Sequence, residues 1–110
     1  MSVRPIYMDN HSTTRVDPRV LDAMLPYFTE KFGNAASINH SYGEEAAQAT
    51  EQARQQIATL LNAPARDIIF TSGATESNNI ALKGVLYSRG IGNNVITTAA
   101  EHRAVLDSVR

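Results

Sequence analysis

A run of small polar residues in the middle of the chain has the composition of an anion-binding turn. In the stretch IIFTSGATESNNIALKGV, residues 68–85, a β-branched and aromatic run gives way to Ser72-Gly73-Ala74-Thr75, and a segment with helical spacing follows. A strand that enters a helix through a glycine turn presents free backbone N–H groups at the positive end of the helix. The pattern therefore predicts an anion site in this turn.

The turn favours a single phosphate group over a polyphosphate. The chain has neither a Walker loop nor the glycine pattern of a dinucleotide fold. Lys83 lies eight residues after Thr75, about 12 Å along a helix, which is too far for a Walker lysine. The predicted donors are the backbone N–H groups from Gly73 to Thr75 and the hydroxyls of Ser72, Thr75 and Ser77. Helix capping alone accounts for the same residue types, so both interpretations stay open at this point.

A histidine follows the second predicted strand, residues 95–98, in the sequence Glu101-His102. Parallel neighbouring strands end at the same sheet edge, where ligands bind in open α/β folds, so we expect His102 to face the ligand of the turn. Its ring can stack on an aromatic ligand or transfer a proton near neutral pH. The alternative is a histidine that forms a local hydrogen bond at a helix start, and spacing does not decide between the two.

Other classes of site have little support. His11 lies in a polar loop and His40 precedes a helix, and we expect structural roles for both. The three histidines lack the spacing of metal ligands, so no metal site is predicted. The absence of cysteine removes disulfides and a thiolate nucleophile from this chain. Ten basic and eleven acidic side chains give a net charge of -1, so neither nucleic acid nor a membrane is an expected partner.

The first half of the chain is predicted to be helical. Asp17-Pro18 has the form of an N-cap followed by proline at the first helical position, and Pro26 is expected to kink that helix or end it early. Ser41-x-x-Glu44 fits a capping box at the start of a long helix that ends near residues 62–64. One face of that helix is expected to be apolar, at Ala46, Ala49, Ala53, Ile57 and Leu60. A hydrophobic content of 43% predicts a buried core.

The second half alternates strands and helices. Residues 67–71 and 95–98 are the predicted strands, a helix spans residues 75–87, and a last helix runs to Arg110 without a stop signal. The order predicts a parallel α/β layer. Two strands are too few for a stable parallel sheet, so we expect an incomplete piece of a larger α/β fold. The alternative is a complete small α/β domain.

The predicted organisation has three parts. Residues 1–15 form an extended entry and loop, residues 16–64 a helical part, and residues 65–110 the start of a large α/β domain. No long apolar run is present, so neither a secretory signal nor a membrane span is predicted, and a cytoplasmic location is expected.

Four segments together resemble a known enzyme family. YMDNHSTTRVDPRV, FGNAASINHSYG, DIIFTSGATESNNIALKGV and TTAAEHRAVLDS are similar, in order and spacing, to the N-terminal part of class V aminotransferase-like pyridoxal-phosphate enzymes. The chain most resembles the cysteine desulfurases of the NifS and IscS type. The resemblance implies a homodimer of fold-type I architecture, with a parallel-type sheet, flanking helices and pyridoxal 5'-phosphate as cofactor. It matches Ala74 and Thr75 to positions that bind the cofactor phosphate, and His102 to a histidine that stacks on the pyridine ring and aids proton transfer.

The resemblance also implies a reaction. Such an enzyme converts L-cysteine to L-alanine and an enzyme-bound persulfide, whose sulfur passes to scaffold proteins for iron–sulfur cluster or thio-cofactor assembly. The family's Schiff-base lysine, pyridine-facing aspartate and nucleophilic cysteine lie further along the full chain, and Lys31 and Lys83 match no catalytic position. The remainder of the enzyme, on the same or a separate chain, is therefore an expected partner. Selenocysteine lyase, another class V enzyme, or a non-catalytic fragment that acts only with a partner chain are the alternatives.

Overall fold

The computed structural model describes residues 5–88 and 94–109, and their regular secondary structure is helical. The helices are α1 (Pro18–Met24), α2 (Pro26–Thr29), α3 (Ser41–Leu61), α4 (Ala74–Tyr87) and α5 (Arg103–Leu106), with a 3-10 turn at Ala65–Asp67. The chain divides into two compact units, Met1–Ala65 and Arg66–Arg110. No helix in the described ranges is long and apolar enough to cross a membrane.

The first short helix begins at the predicted residue and is interrupted at the predicted proline. A carboxylate oxygen of Asp17 accepts a hydrogen bond from the backbone N–H of Arg19 at 2.9 Å, and Pro18 is the first residue of α1. The helix is interrupted at Pro26, because proline lacks the N–H that would continue the helical hydrogen bonding and its ring clashes with the preceding turn. α2 then ends at Thr29.

The long helix α3 has a different cap from the predicted one. His40 has extended backbone angles and occupies the N-cap position, and its Nδ1 accepts a hydrogen bond from the N–H of Gly43 at 3.1 Å. The predicted capping box is therefore wrong, because Ser41 is already the first helical residue. The predicted end of the helix is confirmed. Asn62 adopts the left-handed conformation, with φ of 52°, that commonly terminates helices.

Little apolar surface is buried. Ala46 and Ala58 are the buried hydrophobic residues of the described ranges, and no large side chain is fully buried there. On the predicted apolar face of α3, Ala46 is buried, but Ile57 is 36% exposed and Leu60 is 83% exposed. The core predicted from composition is therefore absent from the described part of the chain.

The predicted strands do not form in the described residues. Ala65–Asp67 is a 3-10 turn, and residues 68–71 and 94–98 have no regular secondary structure. A strand is defined by a ladder of hydrogen bonds to a neighbouring strand, and hydrophobic pattern alone does not supply that neighbour. The predicted sheet is thus not observed. The last helix also differs from the prediction, because α5 ends at Leu106, and Arg110 lies outside the described residues.

Candidate functional site

The first turn of α4 leaves a set of backbone donors open. Gly73 is the N-cap and supplies no side-chain acceptor, and the N–H of Ser77 makes the first helical bond, to the Gly73 carbonyl at 3.1 Å. The N–H groups of Ala74, Thr75 and Glu76 have no hydrogen-bond partner within residues 5–88 and 94–109. Three open donors at the positive end of a 14-residue helix are an arrangement that favours a bound anion in proteins.

The three hydroxyls predicted as anion donors are not equivalent. The Ser72 hydroxyl donates to Glu76 Oε2 at 2.7 Å. The Ser77 hydroxyl donates to the Gly73 carbonyl at 3.2 Å and lies 2.7 Å from the hydroxyl of Thr71. The Thr75 hydroxyl makes no hydrogen bond in the described part of the chain. Of the three, the Thr75 hydroxyl is therefore the one that is free to donate a hydrogen bond to an anion.

The carboxylate of Glu76 stabilises the turn that precedes α4 by accepting two hydrogen bonds from Ser72. Glu76 Oε2 accepts the backbone N–H of Ser72 at 2.6 Å as well as its hydroxyl. These two hydrogen bonds, the backbone one contributing more, lower the pKa of the Glu76 carboxyl because they stabilise its charged form. A glutamate in the first turn that reaches back to a preceding N–H is related to the capping box. That spacing is the sequence signal that could have revealed this contact.

His102 is the N-cap residue of α5. Its Nδ1 accepts a hydrogen bond from the backbone N–H of Ala104 at 3.1 Å. An acceptor at Nδ1 places the proton of the neutral ring on Nε2. The local hydrogen bond of the second sequence interpretation is therefore present, and the residue is also exposed. Stacking by the ring of His102 stays a prediction.

A buried polar bridge joins α4 to the segment that follows α5. The Asn79 side-chain amide donates to the Thr75 carbonyl at 2.9 Å and to the Ser108 hydroxyl at 2.9 Å. Ser108 is 3% exposed, and its hydroxyl donates in turn to the carbonyl of Ala104 at 2.7 Å. Sequence reasoning missed this bridge. Asn79 is one helical turn after Thr75, but no local pattern connects it to a residue 29 positions away.

His40 and an apolar groove are further features of the described residues. His40 caps α3, which is the structural role predicted for it. No cluster of three or more potential metal ligands occurs in the described residues. An apolar groove of about 460 Å³ lies further along α4. It is lined by Ala81, Leu82, Val85, Leu86, Asn94, Val95 and Ile96.

Comparison with known proteins identifies the family. The sequence profile of the class V aminotransferases matches residues 6–109, which is almost the whole chain. The chain belongs to this family. The resemblance predicted from four sequence segments is thereby confirmed.

Relatives of this chain are identical to it at more than half of the aligned positions. The chain is 55% identical over 106 residues to "Cysteine desulfurase IscS" of Anaeromyxobacter sp. (strain K), covering 96% of this chain and 26% of that protein. It is 58% identical over 109 residues to "Cysteine desulfurase" of Homo sapiens, covering 98% of this chain and 24% of that protein.

The fold of the chain is similar to that of a solved structure. The chain matches a "NIFS-LIKE PROTEIN" with a TM-score of 0.77 and 44% sequence identity, over 90% of this chain and 27% of that one. The chain thus spans about a quarter of the length of the relatives it matches. At this level of likeness the chain has the fold of part of a class V aminotransferase domain, although no sheet is formed in the described residues.

Proposed function

We propose that this chain is part of a pyridoxal-phosphate-dependent cysteine desulfurase. In this proposal the whole enzyme converts L-cysteine to L-alanine and an enzyme-bound persulfide, and it acts as a cytoplasmic homodimer that passes sulfur to scaffold proteins. The supporting observation is the open start of α4, which lies within a chain 55–58% identical to cysteine desulfurases. The family supplies the identity of the ligand, and the geometry supplies a place for its phosphate.

The donor set at the start of α4 fits a phosphate monoester. A phosphate dianion accepts several hydrogen bonds at once, and the N–H groups of Ala74, Thr75 and Glu76 offer three unpaired donors close together. The free hydroxyl of Thr75 adds a fourth. The nearby carboxylate of Glu76 is engaged by Ser72. Ala74 and Thr75 are therefore the residues that we assign to the cofactor phosphate.

His102 is assigned to the aromatic part of the cofactor. Its Nδ1 is held by the Ala104 N–H, which fixes the ring orientation about one nitrogen. The faces of an exposed ring are free to stack, and the Nε2–H is the atom at which a proton can be held or transferred. The hydrogen bond at Nδ1 thus orients the residue for the proposed role.

The covalent chemistry requires groups outside this chain. When bound, pyridoxal phosphate withdraws electrons from the α-carbon of an amino acid substrate. The chain has no cysteine to accept sulfur, and its lysines, Lys31 and Lys83, match no catalytic position of the family. What its own residues contribute is anchoring by Ala74 and Thr75 and ring positioning by His102.

The test is a chimaera in which this chain replaces the matching segment of the Anaeromyxobacter IscS relative. We expect the purified chimaera to retain pyridoxal phosphate, to show the visible absorption of bound cofactor, and to form alanine from L-cysteine. With excess dithiothreitol present to reduce the enzyme-bound persulfide, it should release sulfide in an amount equal to the alanine. A chimaera that folds but shows neither the absorption nor sulfide release contradicts the proposal. Preference for L-selenocysteine over L-cysteine would support selenocysteine lyase instead.

Two variants test the assigned roles within the chimaera. Thr75→Val removes the free hydroxyl and should weaken cofactor retention about tenfold to a hundredfold, since a hydrogen bond to a charged group contributes about 1.5–3 kcal/mol. Thr59→Val is its matched control, because the Thr59 hydroxyl bonds only the Gln55 carbonyl of its own helix at 2.8 Å in the described structure. Equal effects of the two variants would refute the phosphate assignment.

His102→Asn separates the ring from the cap. Asparagine is a good N-cap residue, so its side-chain oxygen can replace Nδ1 as the acceptor for the Ala104 N–H. The variant should therefore keep α5 and phosphate binding but slow sulfide release by about a hundredfold or more, the typical contribution of a proton-transfer group. Unchanged turnover would show that His102 serves only as a cap.

A further inference from the structure

Within the second unit, Thr75 and His102 are connected by a path of three side-chain hydrogen bonds, the backbone of Ala104 and the hydrogen bond that caps α5. The path starts at the carbonyl of Thr75, which accepts from the Asn79 amide. The other N–H of the same amide donates to the Ser108 hydroxyl, and that hydroxyl donates to the carbonyl of Ala104. The backbone N–H of Ala104 then donates to Nδ1 of His102.

The stability of helix α5 requires contacts with the rest of the second unit. It has four residues, and helices of this length are not stable by themselves in water because nucleation is costly. The bond from Asn79 to Ser108 is the hydrogen bond between side chains that ties the α5 segment to α4 in the described structure. Since His102 is the cap of α5, the placement of α5 also determines the placement of the His102 ring.

The chemistry of Asn79 suits this role. A primary amide has two N–H donors, and both are used, one on each helix segment. Ser108 is almost completely buried and Asn79 is half-buried, so the bond is partly shielded from competing water. An unpaired buried hydroxyl or amide is unfavourable, which favours one arrangement of the two segments over others.

We propose that Asn79 is a positioning residue whose amide, bonded to the Thr75 carbonyl and the Ser108 hydroxyl, aligns His102 with the phosphate-anchoring start of α4. This inference rests on the proposed function for its consequence in catalysis. The alignment of the two segments itself does not depend on a ligand. The readouts below therefore include one that needs no cofactor.

The variants break the bridge from each end. Asn79→Ala and Ser108→Ala are made singly and together in the chimaera, and Ser108→Thr restores a hydroxyl at the same position. The matched control is Asn78→Ala, since Asn78 is the neighbouring residue of α4, is also half-buried, and makes no side-chain hydrogen bond in the described ranges. Ser108→Ala removes a single oxygen and carries the test if Asn79→Ala fails to fold.

The first readout is the nitrogen NMR signal of the His102 ring in the cofactor-free chimaera. We expect the Nδ1 resonance to move towards that of a solvent-exposed imidazole in Asn79→Ala and Ser108→Ala, and to stay in place in Asn78→Ala. The Ser108→Thr variant should restore it. An Nδ1 signal that is unchanged in both bridge variants would overturn the proposal, whatever the enzyme activity.

The second readout separates chemistry from binding in the loaded enzyme. Each bridge variant should lower kcat by about tenfold to a hundredfold, the range that a small misplacement of a catalytic group produces. Cofactor retention should change by less than about threefold, because the N–H donors of α4 remain. The double variant should be no worse than the single ones, since residues in one network do not act additively.

The two readouts distinguish failure of the positioning role from failure of the proposed function. Lower thermal stability with unchanged kcat and an unchanged His102 signal would show a merely structural bond and would overturn the proposal. If the unaltered chimaera folds but neither retains pyridoxal phosphate nor releases sulfide, the proposed function is wrong. A shifted Nδ1 signal in the bridge variants would in that case still support the alignment by Asn79.

Discussion

Replacing Gly43 with alanine should destabilise the first unit, because no space exists for a side chain at this position. Gly43 is buried in the first turn of α3. A Cβ atom there would overlap the carbonyl oxygen of Ser37 and lie 2.7 Å from its carbonyl carbon and 3.0 Å from the carbonyl oxygen of Asn34. These are backbone atoms, and the Ser37 N–H is itself bonded to the Asn34 carbonyl at 2.9 Å. They cannot rotate away from the new atom.

The expected magnitude combines two costs and one gain. Overpacking of this kind costs roughly 1–3 kcal/mol. The Gly43 N–H donates to Nδ1 of His40 at 3.1 Å, so a displaced Gly43 also weakens the N-cap, which contributes about 1 kcal/mol in comparable helices. Alanine regains about 1 kcal/mol of helix propensity. The free energy of unfolding should therefore fall by about 1–3 kcal/mol in Gly43→Ala.

The assay is denaturant unfolding of the chimaera, with Gly84→Ala as the matched control. Gly84 also lies within a helix, but a Cβ atom there has no described neighbour within 4 Å. Gly84→Ala should therefore raise the free energy of unfolding by about 0.5–1 kcal/mol. The slope of the unfolding curve should stay unchanged in both variants. If Gly43→Ala stabilises the protein as Gly84→Ala does, the packing argument is refuted.

Three further predictions concern the ends and surfaces of helices. Asn62 is left-handed, so Asn62→Ala should lower the free energy of unfolding by about 1–2 kcal/mol and Asn62→Gly should not, as measured by denaturant midpoints. Hydrogen bonds from Ser72 lower the pKa of Glu76, so its stabilisation is complete above the unfolded pKa and is lost as pH falls through the folded pKa. Glu76→Gln should remove that part of the acid-induced loss of thermal stability, and an identical acid profile would contradict the assignment. Lys31 pairs with Glu45 at 2.9 Å on the surface, so Lys31→Gln should lower the melting temperature by only a few degrees, and 1 M salt should abolish the difference.

Several features of the fold were predictable because their causes are local. The cap at Asp17, the interruption at Pro26 and the end of α3 near residue 62 all appear where the sequence places them. Each depends on the chemistry of one residue and its neighbours within one helical turn. Helix α4 was likewise predicted to within one residue at its start.

Whether the predicted strands pair into a sheet could not be decided from local evidence of this kind. The β-branched run at residues 68–71 has strand character, but a strand requires a partner that is distant in the sequence. In the structure Ile69 is 64% exposed and Ile96 is 98% exposed. Their sequence pattern indicates burial, whereas the described residues provide nothing that covers them.

Some features of the candidate site follow from local sequence, and others depend on tertiary contacts. The sequence by itself determined the family and supplied the prediction of an anion site in the turn before α4, with Ala74, Thr75 and His102 as candidate residues. The tertiary structure decided that Thr75 has the free hydroxyl, that His102 caps α5 through Nδ1, and that Asn79 connects the two segments. Local hydrogen bonds follow from residue type and spacing, whereas the contact between Asn79 and Ser108 exists only because folding brings together residues 29 positions apart.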